Sequence, residues 1–167
     1  NIYVVDADGR NRRPLFAEEQ SVWARWSTDG RMAAAIREPD AGIFIMDADG
    51  GARQRVLGGH GAMDWSPDGE WFATTHTTRV RGVTHYDIAK YRADGSGYQA
   101  LTDELFWQIF ETEWSPSGRE LVFSDDDIYR VGADGAGLTN LTEHPALDHN
   151  QHWSADGEQV FFMSSRD

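Results

Sequence analysis

The sequence predicts an all-β chain built as a β-propeller of four-stranded antiparallel blades, and three observations carry that prediction. A short phrase occurs four times, as Trp26-Ser-Thr-Asp-Gly30, Trp65-Ser-Pro-Asp-Gly69, Trp114-Ser-Pro-Ser-Gly118 and Trp153-Ser-Ala-Asp-Gly157. A second phrase accompanies it, as Asp6-Ala-Asp-Gly9, Asp47-Ala-Asp-Gly50, Arg92-Ala-Asp-Gly95 and Gly132-Ala-Asp-Gly135. The intervals from one repeat Trp to the next are 39, 49 and 39 residues, close to the forty-residue period of a four-stranded blade.

Each phrase reads as a tight turn. Pro presets φ for the first central position, and Gly accepts the positive φ that closes the turn. The repeat Trp belongs to the strand entering the turn. The runs leaving it are apolar: Met32–Ile36, Trp71–Ala73, Leu121–Phe123 and Val160–Met163. Short runs without alternation suit strands buried on both faces. Apolar residues also precede each second phrase, at Ile2–Val5, Ile43–Met46, Ile88–Tyr91 and Ile128–Val131, which is a hairpin signal. A last short element follows at Pro14-Leu-Phe16, Val56-Leu57, Ala100-Leu-Thr102 and Asn140-Leu-Thr142. Each repeat therefore reads strand, turn, strand, loop, strand, turn, strand.

The two ends of the chain share one phase of the repeat. Joined end to end they give a fourth interval of 40 residues. The N-terminal strand is therefore expected to close the last blade, with Ile2–Val5 paired to the strand around Phe161–Ser164, and residues 1–167 are expected to form one domain. Closure of this kind removes an exposed sheet edge.

Composition narrows the partners. The net charge is −13, from 15 Lys and Arg against 28 Asp and Glu. That field repels nucleic-acid phosphates and anionic lipid, so neither is an expected partner. There is no cysteine, so no disulfide and no thiolate chemistry is expected. No run of eighteen apolar residues is present, so membrane insertion is not expected. Seven Trp is a high number, and four of them are the repeat Trp, expected first as packing residues.

Candidate functional residues fall in four groups. The residues just before each repeat Trp are Arg25, Asp64, Glu113 and His152, all polar or ionisable in strands expected to be innermost. They are the expected lining of a polar channel, or an ion-pair network between blades. The long second repeat carries its extra residues between Thr77 and Thr84, where a lengthened surface segment presents Arg79 and Arg81 either as a binding loop for an anionic group or as a solvated hairpin. The connection Leu105-Phe-Trp-Gln-Ile-Phe110 is apolar where its counterparts are polar. It offers Phe106 and Trp107 either to a partner or to the top of the core. Residues 141–167 hold Glu143, His144, Asp148, His149 and His152. His144, His149 and His152 are the candidate metal ligands, and a divalent cation is the cofactor such a set would hold. His149 and His152 would point to opposite faces of a regular strand. No nucleophile–base set stands out, because the phrase serines lie in turns and not in a Gly-x-Ser-x-Gly elbow.

The two phrases together, with Leu-Thr between them, resemble the repeats of TolB-type propellers along the whole chain. The resemblance implies four-stranded blades, an innermost strand leading into Trp-Ser-Pro-Asp-Gly, and a channel mouth as the usual ligand or peptide site. It favours a periplasmic or extracytoplasmic setting. Related repeats occur in prolyl-oligopeptidase-like propellers and in oligogalacturonate lyases. The leading functional expectation is a non-catalytic module that binds a protein, peptide or small polar ligand. The alternatives are a metal-dependent saccharide lyase or hydrolase using the channel histidines, and a structural unit of a larger or homo-oligomeric propeller.

Overall fold

The computed structural model describes residues 2–15, 20–38, 41–59, 61–103 and 106–166. Phe16 and Leu105, placed above in a strand and in the apolar connection, lie outside the described residues. The chain divides into two compact units, Asn1–Gly61 and Ala62–Asp167.

The first unit holds β1 (Tyr3–Val4), β2 (Arg13–Pro14), β3 (Gln20–Trp26), β4 (Met32–Glu38), β5 (Gly42–Met46) and β6 (Gln54–Gly58). Strands β3 to β6 form one antiparallel sheet in chain order, and β1 pairs with β2. Met32, Ala34, Ile36, Phe44 and Met46 make its core, with Ile2 and Leu15 packed against them. The small side chains of Ala33, Ala34 and Ala35 are completely buried, which explains a run that is apolar without alternation.

The second unit holds β7 (Met63–Trp65), β8 (Trp71–Val80), β9 (Val83–Arg92) and β10 (Gln99–Ala100) in one sheet. It also holds β11 (Thr112–Trp114), β12 (Glu120–Asp125), β13 (Asp127–Gly132) and β14 (Thr139–Asn140) in a second, and the pair β15 (Asp148–Trp153) and β16 (Val160–Ser164). Ala73, Ile88, Leu101 and Phe106 from the β7–β10 sheet pack onto Trp114, Leu121, Phe123 and Val131 from the next. Each large side chain buried this way stabilises the unit by about 1.5–3 kcal/mol relative to exposure. Trp65 and Trp114 are buried as expected, but Trp26 is 52% exposed.

The turns form as the phrases require. Ser66 Oγ donates to Asp68 Oδ1 at 2.5 Å and accepts the Trp71 N–H at 3.0 Å, while the Glu70 N–H donates to Asp68 Oδ1 at 3.0 Å. Ser154 and Asp156 repeat this arrangement with Gln159 and Glu158. The serine hydroxyl holds Asp68 and Asp156 below the usual carboxylate range, helped by the turn N–H. The closing glycines adopt positive φ, as at Gly69 (71°) and Gly157 (72°).

Two expectations are not met among the described residues, and one pair of alternatives is decided. The closing ladder between Ile2–Val5 and Phe161–Ser164 is not among the described pairings: β1 pairs with β2 and β16 with β15, each in a two-stranded sheet. The hairpin expected on the other edge of this strand does form: the Ile2 carbonyl accepts the Leu15 N–H at 2.8 Å, and Ile2 packs into the core of its own unit. The Val160–Met163 run is not buried on both faces; with β15 as its described neighbour, Phe161 and Met163 are exposed. The extra residues of the second repeat take the second of the two forms expected of them, a solvated hairpin. The β8–β9 ladder continues to Val80↔Val83, because the insertion is rich in Thr and Val and carries a two-residue Arg81-Gly82 turn.

Candidate functional site

Two places in the second unit collect the residues singled out by sequence. The first is the row of inner strands. Strand β11 lies between β7 and β15, so the residues before the repeat Trp come into reach of their neighbours. Asp64 Oδ2 accepts the backbone N–H of Trp114 at 2.8 Å. His152 Nδ1 lies 3.1 Å from Glu113 Oε2, and the ring nitrogen donates when it carries the proton. Each of these side chains thus reaches from one sheet to the next. Such contacts fix how the sheets stack, and the pairing offsets the cost of placing carboxylates at partly buried positions. Arg25 lies in the first unit, on β3, where its guanidinium donates to the Ala24 carbonyl at 3.2 Å.

The second place is the far end of the β8–β9 hairpin. Phe106 exchanges two backbone hydrogen bonds with Tyr86, at 2.8 and 2.9 Å, adding a one-residue strand to the edge of β9. Its ring is buried and meets Phe123 and Tyr129 edge-on, both at 5.1 Å between centroids. Trp107 points the other way and is 71% exposed. Its N–H and that of Gln108 both donate to the Asp125 carboxylate, at 3.4 and 3.2 Å. Burial pushes the Asp125 carboxyl above its usual range, and those two N–H groups pull it back. The Trp107 ring lies 5.3 Å from that of His85. The apolar connection therefore divides: Phe106 enters the core and Trp107 faces solvent. Arg79 and Arg81 sit at the exposed tip, Arg79 donating from Nε to the Gly82 carbonyl at 3.4 Å.

The three candidate metal ligands do not gather. Among the described residues no group of three or more His, Cys, Asp or Glu is arranged to hold a metal ion. His144 Nδ1 accepts the Ala146 N–H at 3.0 Å in an exposed turn, and His152 is engaged with Glu113. His149 and His152 share β15, but its register shifts between them and Asn150 takes φ 54°. The strict two-residue alternation expected of that strand therefore fails. The bulge buries Asp148 and Gln151, and the Arg166 guanidinium donates to Asp148 Oδ2 at 2.5 Å.

Sequence reasoning missed one recurring group. Thr102 Oγ1 accepts the Ile88 N–H at 2.9 Å and donates to Asp87 Oδ1 at 3.2 Å. Thr142, Ile128 and Asp127 repeat this contact at 3.1 and 3.0 Å. The signal was present as an Asp before each Ile and a Thr after each Leu.

Four-stranded antiparallel sheets at this period, with inner strands side by side, define a propeller-type repeat protein. No protein-family model matches the chain. An uncharacterized protein of Agrobacterium fabrum is 28% identical over 97% of this chain and 61% of its own length. The Tol-Pal system protein TolB of Anaeromyxobacter dehalogenans is 32% identical over 66% of this chain and 26% of its own length. The chain thus spans about three-fifths of the first relative and about a quarter of the second. Among solved structures, TolB from Acinetobacter baumannii superimposes with a TM-score of 0.79 at 20% identity, covering 96% of this chain and 42% of that one. An oligogalacturonate lyase in complex with manganese superimposes at 0.70 and 15% identity, covering 95% and 49%. The repeats are TolB-like in sequence and in fold. No helix among the described residues is long and apolar enough to cross a membrane.

Proposed function

We propose that this chain is a non-catalytic binding module that presents the β8–β9 hairpin and the 106–110 connection to a protein or peptide partner. The observation that carries the reading is Trp107. Two backbone N–H groups tied to Asp125, and a buried neighbour in Phe106, hold a large aromatic ring out in water. Exposed, immobilised Trp is the residue type that dominates binding surfaces, because little freedom is lost when a partner covers it. The inner-strand row supports the same reading. Asp64 and Glu113 are engaged in contacts between sheets, which suits a scaffold. The TolB-like resemblance favours a periplasmic or extracytoplasmic setting for such a module.

The competing reading is a metal-dependent saccharide lyase or hydrolase that works through the inner-strand histidines. It draws on the fold shared with the manganese-bound lyase, and the scattered positions of His144, His149 and His152 weigh against it. One assay separates the two. The chain is incubated with a carboxylated polysaccharide, with and without manganese, and product is followed by ultraviolet absorbance. No turnover is expected; turnover that His152→Ala abolishes would sink the binding-module reading.

A further inference from the structure

From the end of the β8–β9 hairpin, we infer that Trp107, His85, Val83, Val80 and the guanidinium groups of Arg79 and Arg81 form a docking surface for an acidic protein segment that carries an apolar side chain among its carboxylates. This rests on the binding-module reading and names the chemistry of the partner.

The apolar half of the surface follows from the ladder. His85 stands opposite Thr78, and Val83 opposite Val80. Side chains two residues apart share one face of a strand, so both valines lie on the face that carries His85. The His85 ring in turn lies 5.3 Å from Trp107. Val80, Val83 and Trp107 are all exposed. Two exposed β-branched residues next to an exposed Trp are a patch, not scattered surface residues.

The charged half lies at the tip. Arg79 pairs with Thr84 and so stands on the opposite face of the ladder from Val80, Val83 and His85. Its Nε reaches the tip by donating to the Gly82 carbonyl at 3.4 Å, and together with exposed Arg81 it makes the tip basic in a chain of net charge −13. Arg81 also occupies φ 51°, followed by Gly82 at φ 86°. In a two-residue hairpin turn with both φ positive, Asn, Asp or Gly is the favoured first residue. An arginine there holds a left-handed conformation that its side chain disfavours. Asn at this position would close the same turn without that strain and without the guanidinium, so the charge is the feature the turn gains from Arg81.

The make-up of the surface selects the partner class. A carboxylated saccharide would use Trp107 as a platform and need a ring of polar groups around it. The neighbours on the β8–β9 face are instead two valines, an imidazole and the single hydroxyl of Thr78. Trp and Arg around an aliphatic centre is the composition of a protein hot spot, and guanidinium groups at the tip match carboxylates.

The test uses the whole chain, labelled with nitrogen-15, and three soluble probes. These are a short synthetic peptide of Asp and Glu interspersed with Phe and Leu, the same peptide with Lys in place of the acids, and alginate as a carboxylated polysaccharide. The Trp107 indole resonance is assigned by its loss in Trp107→Ala. The acidic apolar peptide is expected to shift the resonances of Trp107, His85 and Val83 and to bind more tightly than the basic peptide. Trp107→Ala, and separately Arg79→Glu with Arg81→Glu, should each weaken binding by about tenfold or more. These positions are exposed, so a thermal melt should show both variants folded. Perturbation of Trp107 by alginate and not by the acidic peptide would overturn the peptide assignment. Peptide binding that leaves Trp107, His85 and Val83 unmoved would overturn this surface and leave the binding-module reading standing. Silence from all three probes overturns the surface as well, and turnover of the polysaccharide would remove the reading beneath it.

Discussion

The outer strands of the first β-sheet and those of the next two reach the same register by different chemistry. In the β7–β10 and β11–β14 sheets an Asp, an Ile N–H and a Thr hydroxyl form a clasp: Asp87 with Ile88 and Thr102, and Asp127 with Ile128 and Thr142. In the β3–β6 sheet the matching positions are Gly42 and Gly58, paired across the ladder next to Ile43 and Leu57. There the Arg55 guanidinium donates to the Ala41 carbonyl at 2.7 Å and fills the space the clasp would need. A Cβ on Gly42 would meet Arg55 Nε at 2.6 Å and the Leu57 carbonyl at 2.7 Å. The element common to all three sheets is the Ile–Leu neighbourhood: Ile43 with Leu57, Ile88 with Leu101, Ile128 with Leu141. Apolar pairing sets the register, and the polar group beside it is a local choice about how to satisfy one backbone N–H.

The largest expected effect comes from forcing one solution onto the other. Gly42→Asp combined with Gly58→Thr copies the clasp into the first sheet, and it should destabilise by about 1–3 kcal/mol, toward the upper end, through overpacking against a backbone carbonyl. Urea unfolding reads this as a lower midpoint. Adding Arg55→Ala should recover part of the loss. A double variant as stable as the parent would show that Arg55 does not exclude the clasp.

Removing the clasp where it exists should cost less, and unequally. Thr102→Val keeps the shape but leaves the buried Ile88 N–H without its hydroxyl acceptor, a loss of about 1–3 kcal/mol. Thr142→Val should fall at the lower end of that range. Thr142 is less buried than Thr102, and Asp127 still accepts Asn140 Nδ2 at 2.7 Å and the His144 N–H at 3.2 Å. Equal losses in the two variants would mean that the extra donors around Asp127 do not support the clasp.

These clasps mark where sequence reading stopped. The turns were legible because Ser66, Asp68 and Gly69 act within a few residues of one another, and local chemistry is written locally. Leu101-Thr102 and Leu141-Thr142 stood in the sequence as a repeated phrase. The Asp that completes each clasp is 15 residues earlier, and only the ladder brings it close. The Asp64 contact with Trp114 spans 50 residues for the same reason. Positions 25, 64, 113 and 152 were legible as a set because they share one place in the repeat, whereas their partners depend on how sheets stack. The alternation expected for His149 and His152 failed at the Asn150 bulge, where an Asn takes the left-handed φ this residue type tolerates; a lone Asn within a strand was the only local signal. Phe106 and Trp107 look alike in composition; hydrogen bonds to Tyr86 and Asp125 decide which one is buried.

The smallest effect, and the one that isolates the carboxylates, is the pH dependence of the Thr142→Val loss. Burial pushes the Asp127 carboxyl up, but Asn140, the His144 N–H and the Thr142 hydroxyl outweigh it and hold it below the usual carboxylate range. A carboxylate whose folded pKa is depressed contributes stability that is present above its unfolded value, about 3.9, and is lost as pH falls through the folded value. Thr142→Val removes one of those donors, so the variant retains less of that contribution at neutral pH. The stability difference between parent and variant should therefore narrow as pH falls from about 5 toward and below the folded value. The depressed turn carboxylates Asp68 and Asp156 are present in both proteins and cancel in the difference. Asp148, which burial pushes up but Ser164, the Thr142 hydroxyl and Arg166 hold low, does not cancel, so the narrowing reads Asp127 and Asp148 together. A difference that stays constant down the acid limb would place the whole loss in the Ile128 N–H. The clasp would then be a hydroxyl–backbone contact with the carboxylate as a bystander, nearer to the glycine-closed first sheet than its residues imply.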